Sequence, residues 1–182
     1  MRRLSSFLML AAAAVITAKA DIVVNHIGGP TPVGPFYQWD YSAQLENHPL
    51  VSGDFFAIFD FFGFVGEAAP PPSDWALTVE PTTTQTLTAV PDSASPTTTN
   101  LKWTYSGPTI DTNFTWSNFS VLSTGGGTVL SELYYIGQTD GGNAANLGPT
   151  VDGPSEVPEP GTIALLGGGM GLLGLMKRRR TA

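Results

Sequence analysis

Nowhere between residues 21 and 155 does the chain hold an apolar period of 3.6 residues over three turns. Short aromatic and β-branched runs alternate instead with proline and glycine clusters. These are Gly28-Gly29-Pro30, Ala69-Pro70-Pro71-Pro72, Pro91-Asp92, Ser106-Gly107-Pro108, Gly125-Gly126-Gly127 and Asp140-Gly141-Gly142. Proline can neither continue a helix nor donate to a sheet ladder, and glycine supplies turn conformations, so the pattern opposes a helical domain. The runs between the breakers predict strands over 21–25, 36–45, 54–65, 75–79, 86–90, 100–105, 113–123 and 128–136. Strands of this number and spacing predict an all-β fold, an antiparallel β-sandwich of Ig-like or jelly-roll type, with an open barrel as the alternative. The absence of cysteine argues against a true immunoglobulin domain; it also removes any disulfide, thiol nucleophile or cysteine-ligated metal.

Two strands can be read in more detail. In 36–45, Tyr37, Trp39, Tyr41 and Ala43 share one face and Gln38, Asp40, Ser42 and Gln44 the other, the period of a half-exposed strand. The run 54–65 (DFFAIFDFFGFV) is apolar on both faces apart from Asp60, which predicts a strand at the centre of a sheet. Residues 141–156 are poor in apolar side chains and are expected to form a flexible spacer after an exported domain spanning 21–140.

Charge is distributed unevenly. Between Asp21 and Ser155 stand nine Asp and four Glu against one base, Lys102, while Arg2, Arg3, Lys177, Arg178, Arg179 and Arg180 lie at the ends. So acidic a body repels phosphate backbones, and no nucleic-acid partner is expected.

The two ends read as targeting segments. Arg2 and Arg3 precede an apolar run over 4–16, and Ala18-Lys19-Ala20 supplies the small-x-small site, so 1–20 reads as a signal peptide cleaved by signal peptidase after Ala20. At the other end, Val157-Pro158-Glu159-Pro160-Gly161 leads into a 14-residue apolar run, 163–176, and then the four bases Lys177, Arg178, Arg179 and Arg180. As a helix that run reaches about 21 Å against a hydrocarbon core of about 30 Å, so it spans only with its flanks or a thinned bilayer. The bases act as a membrane stop and hold the C-terminus in the cytoplasm, leaving the body outside.

This arrangement of motif, short Gly/Leu-rich span and basic cluster resembles a PEP-CTERM sorting signal over 157–182 (motif 157–161, span 162–176, tail 177–182). The resemblance implies recognition of Pro158, Glu159 and Pro160 by exosortase, a membrane-embedded processing enzyme of Gram-negative bacteria that export polysaccharide. It implies transient anchoring in the inner membrane, then passage to the cell surface or extracellular matrix. A plain membrane anchor after a proline linker is the alternative. Prolines fix φ and forbid regular helix, which keeps such a segment extended and accessible.

No catalytic constellation is found in the body. Asp54 and Asp60 would lie about 20 Å apart along a straight strand, too far for glycoside hydrolysis. His26 and His48 sit near turns, without a nucleophile elbow. Asp140-Gly141-Gly142-Asn143 with Asp152 offers oxygen ligands for Ca²⁺, but neither an EF-hand nor a nonapeptide repeat is present. No cofactor or metal is therefore expected. Trp39, Trp75, Trp103 and Trp116 fit a buried core or a sugar-stacking platform, with Trp39 the best candidate for an outward sugar contact. The expected function is a non-enzymatic surface or matrix protein. The alternatives are a carbohydrate-binding module for exopolysaccharide and a polysaccharide-active enzyme.

Overall fold

The computed structural model describes residues 22–81, 96–142 and 144–156. These form nine strands: β1 (Ile22–Val33), β2 (Phe36–Leu45), β3 (Phe55–Phe62), β4 (Phe64–Glu67), β5 (Trp75–Glu80), β6 (Thr98–Tyr105), β7 (Phe114–Ser123), β8 (Gly127–Thr139) and β9 (Ala144–Ser155). One 3-10 turn, Asp140–Gly142, joins β8 to β9. Every pairing is antiparallel, in a four-stranded sheet of order β1-β2-β7-β4 and a five-stranded sheet of order β5-β6-β3-β8-β9.

The two sheets share one core. From the first come Trp39, Tyr41, Ala43, Phe119 and Val121, and from the second Phe56, Ile58, Leu101, Trp103 and Tyr135. Phe56 stands at the centre of the aromatic packing. Its ring stacks on Trp103 at 4.9 Å and meets Phe119, across the sheets, edge-on at 4.8 Å. The strand β3 is central as expected, and its other face buries Phe55, Ala57 and Phe59 with Ile136. Lys102 lies over the Phe55 ring with its ammonium 4.3 Å from the centroid.

Four expectations need correction. The segment 141–156 is not a free spacer: Ala144–Ser155 is β9, paired along β8 from Thr139↔Ala144 to Gly127↔Ser155. An edge strand tolerates the prolines that hid it, because one side of its backbone needs no ladder partner. The run 54–65 is not one strand. At Gly63, with φ of 63°, the chain leaves β3 and enters β4 in the opposite sheet. The cluster Gly28-Gly29-Pro30 does not end β1, which absorbs it through register shifts between His26 and Thr31. Trp39 is fully buried, because the face it shares with Tyr41 and Ala43 is the core face of β2. The strand expected at 86–90 lies outside the described residues.

Antiparallel pairing gives the body two distinct ends. At one lie the β1–β2 turn (Val33↔Phe36), the β3–β4 turn at Gly63, the β7–β8 link and the last residue of β9, Ser155. This is the tail end, since the chain leaves it toward the C-terminal segment. The far end holds Ile22, the β2–β3 loop, the start of β5 and the turn at Asp140–Gly142.

Candidate functional site

The sorting segment is attached directly to the folded body. Strand β9 ends at Ser155, so Pro158 follows the last paired residue by three positions. The surface from which it leaves is cross-tied by hydrogen bonds. Gly63 N donates to Thr97 O (2.8 Å), Thr124 N to Gly63 O (2.8 Å) and Ser123 Oγ to Phe62 O (2.7 Å). The Trp39 indole N–H donates to Gly125 O at 3.2 Å in the interior. Trp75, Trp103 and Trp116 are likewise buried, which places all four tryptophans in the core. Among the described residues the exposed Phe, Tyr or Trp is Phe114, at the far end, 4.7 Å from the Trp116 ring.

Asp54 and Asp60 do not form a site. Asp54 is fully buried at the far end, ahead of β3. Its Oδ2 accepts from Val51 N at 2.8 Å and its Oδ1 from Gly141 N at 3.0 Å. Burial pushes its carboxyl above the usual carboxylate range, although backbone donors at Val51, Gly141 and Asp140 pull the other way. It ties the β2–β3 loop to the β8–β9 turn. Asp60 sits at φ of 54° in the bulged part of β3, where its N–H donates to Asn100 Oδ1 at 3.0 Å.

Asp140 and Asp152 are also separate. Asp140 lies at the β8–β9 turn, whereas Asp152 lies well along β9. Among the described residues no three His, Asp or Glu side chains gather in a way that would hold a metal ion.

Asp152 instead meets His26 and Ser131 in a cleft of about 200 Å³ between β1 and the β8–β9 pair. The sequence gives no hint of this trio, because the contact joins residues more than a hundred positions apart. Its geometry is that of a tie between sheet edges. His26 Nε2 lies 2.8 Å from Gly28 O; a carbonyl only accepts, so this nitrogen carries the hydrogen. His26 Nδ1 is 3.7 Å from Asp152 Oδ2, and Asp152 Oδ1 accepts the Ser131 backbone N–H at 2.7 Å. The Nε2 that a serine nucleophile would need as base is thus taken by a backbone carbonyl. Tyr41 donates to Asp152 O at 3.1 Å; burial, reinforced by the Asp152 and Asp40 charges, pushes its phenol far above the usual range.

A larger groove, about 410 Å³, crosses the outer face of the four-stranded sheet. Asp40 lies in it, with Oδ1 accepting from Ser120 Oγ (2.5 Å) and Gln38 Nε2 (2.9 Å). Asn118, exposed and at φ of 73°, stands beside them, and Ile27 and Pro70 give apolar walls. The alternation in 36–45 set Gln38 and Asp40 on one face of the strand without saying which face is outward; their union with Ser120 depends on β2–β7 pairing and was not readable.

Ala18, Ala20, Pro158, Glu159, Pro160 and Lys177 through Arg180 lie outside the described residues. Among those described, no helix is long and apolar enough to cross a membrane. Compared with curated proteins and with solved structures, the chain matches none. One family model matches, the PEP-CTERM protein-sorting motif, over residues 156–180, beginning at the residue after β9 ends. No family is assigned to the rest. The chain therefore carries a PEP-CTERM sorting motif set directly against an all-β body, which marks it as an exported protein with a membrane-anchored signal for exosortase processing.

Proposed function

We propose that this is a non-enzymatic protein of the cell surface or extracellular matrix, whose β-sandwich is the cargo and whose tail is the address. The observation that carries the reading is the motif at 156–180, joined without a spacer to a body whose candidate polar clusters serve as ties. Signal peptidase removes 1–20 and the body crosses the inner membrane. The run 163–176 then parks in the bilayer with Lys177, Arg178, Arg179 and Arg180 on the cytoplasmic side. Exosortase acts near Pro158–Pro160 and the body passes outward. Replacing Pro158, Glu159 and Pro160 together by Ala is expected to trap the unprocessed chain in the inner membrane. Release of that triple variant at the normal rate would refute the sorting role.

The groove around Asp40 favours a second reading, binding of the host's own exopolysaccharide. A carboxylate, two amides and a hydroxyl beside apolar walls suit a neutral sugar, whose hydroxyls need donors and acceptors together. Trp39, being buried, has no part in it. Under this reading the protein co-sediments with purified exopolysaccharide in high salt and Asp40→Ala does not, with its fold intact. Equal co-sedimentation of the two would remove it.

A further inference from the structure

We infer that Asn113 is the acceptor for an N-linked oligosaccharide, attached to the body after export and read together with Asp111 and Thr115. The inference rests on the export step of the sorting reading above and adds a covalent modification to it.

The chain holds two Asn-x-Ser/Thr sequons, Asn113-Phe114-Thr115 and Asn118-Phe119-Ser120, the pattern of an N-linked acceptor in an exported protein. Both lie at β7, and the fold separates them. A transferase must draw the sequon into its own cleft, so the choice turns on what each one would leave behind. Phe119 is fully buried and meets Phe56 edge-on across the sheets, while Ser120 is buried with its Oγ donating to Asp40 Oδ1. Presenting Asn118 therefore means pulling β7 out of the core, although Asn118 itself is exposed.

The first sequon is held far less. Residues 111–115 are exposed one after another, with Phe114 at 48%. Asp111, Thr112 and Asn113 link Ile110, which bridges to Leu50, to Phe114, the first residue of β7. Such a link lifts away when the end of the strand frays at Leu45↔Phe114 and Gln44↔Thr115, and no core side chain need follow.

The flanks differ as well. Asp111 stands two residues ahead of Asn113, which puts its carboxylate on the acceptor's side of an extended peptide. Before Asn118 that offset is taken by the buried Trp116. A bacterial transferase that reads an acid at this offset accepts the first sequon and refuses the second. Position on the body also fits. Phe114 pairs with Leu45 at the far end, opposite Ser155, so a glycan on Asn113 leaves the exit toward the sorting segment clear.

The donor is an oligosaccharide carried on a lipid diphosphate in the membrane where the tail is parked. Asn113 Nδ2 attacks the anomeric carbon of the first sugar. The nitrogen–carbon bond forms, the bond from that carbon to the diphosphate oxygen breaks, and the lipid diphosphate leaves. One amide proton passes to a base of the transferase, and nothing is oxidised or reduced.

The test uses the full chain expressed in its native host and purified from envelope and medium. Tandem mass spectrometry of the fragment holding both asparagines assigns any added sugar to a residue. The expected result is an oligosaccharide on Asn113, absent from Asn113→Gln and Thr115→Val, several-fold less abundant in Asp111→Ala and unchanged in Asn118→Gln. A species that begins at Asp21 with Asn113 bare, or with sugar confined to Ser or Thr, would overturn the inference and leave export standing. Equal occupancy of Asn118, or occupancy unmoved by Asp111→Ala, would overturn it too. A chain that still carries residues 1–20 and stays in the cytoplasm would overturn both.

Discussion

Truncating Asp54 removes the knot at the far end of the body, and the structure sets the size of the effect. In Asp54→Ala the N–H of Val51 and that of Gly141 both lose a carboxylate acceptor, at 2.8 and 3.0 Å. Hydrogen bonds to charged groups contribute about 1.5–3 kcal/mol each, and an orphaned buried donor loses most of that. Val51 is partly covered, so its amide falls near about 2 kcal/mol; Gly141 is exposed and water replaces its acceptor, leaving about 1 kcal/mol. The sum, about 3 kcal/mol, corresponds to a fall in Tm of roughly 10 °C for a domain of this size. Urea titration of purified wild type and variant, followed by near-UV circular dichroism, measures it. A pH series adds a sign. Burial raises the folded carboxyl above its unfolded value, so the folded state binds the proton more tightly over that interval. Stability from this group is therefore greatest below about pH 4, the unfolded value, and declines as pH rises through the folded one. The gap between wild type and Asp54→Ala should narrow from acid toward neutral pH. A variant within about 0.5 kcal/mol of wild type, or a gap that widens with pH, would refute the assignment of Asp54 as a buried tie.

Three further outcomes follow from the packing and the tail. Phe56→Ala opens a cavity among Trp103, Trp75 and Phe119, and should cost about 3–5 kcal/mol in urea unfolding with loss of the aromatic near-UV signal. Trp39→Ala should destabilise by a similar amount, about 3–5 kcal/mol; unchanged stability would contradict its burial. Gly153→Ala would drive a Cβ into the Leu133 side chain and loosen the β8–β9 pairing. It should cost about 1–3 kcal/mol and speed amide exchange in β9 selectively, whereas wild-type exchange would show that the strand shifts freely.

Period and punctuation were enough for the strands that carry regular patterns. The alternation in 36–45 gave both the bounds of β2 and its two faces, and the doubly apolar 54–65 gave a central strand. It left open which face of β2 is core, since alternation separates the faces but does not label them. Trp39 was open to a sugar contact, although burial is the usual fate of such a residue, until β7 paired alongside. Where pattern failed, backbone exceptions were the cause. Gly63 redirects the chain between sheets inside an unbroken apolar run, and Gly28-Gly29-Pro30 reads as a stop but is absorbed as bulges. Strand β9, rich in Gly, Pro and Asn, is held by its register with β8 and not by its own propensity. The His26–Asp152 tie and the Asp40 groove are products of long-range pairing, which local composition does not encode. The sorting motif is the opposite case: motif, span and charge are contiguous, so its chemistry is legible in the order of residues.

The central claim is that the tail is a processed address. Intact mass of the protein from its native host, taken separately from inner membrane and from envelope or medium, tests it most directly. The account predicts a species that begins at Asp21, ends near Pro158–Pro160 and lies beyond the inner membrane. A protein found solely in the inner membrane and still carrying Lys177 through Ala182 would contradict it, and would make the tail a permanent anchor.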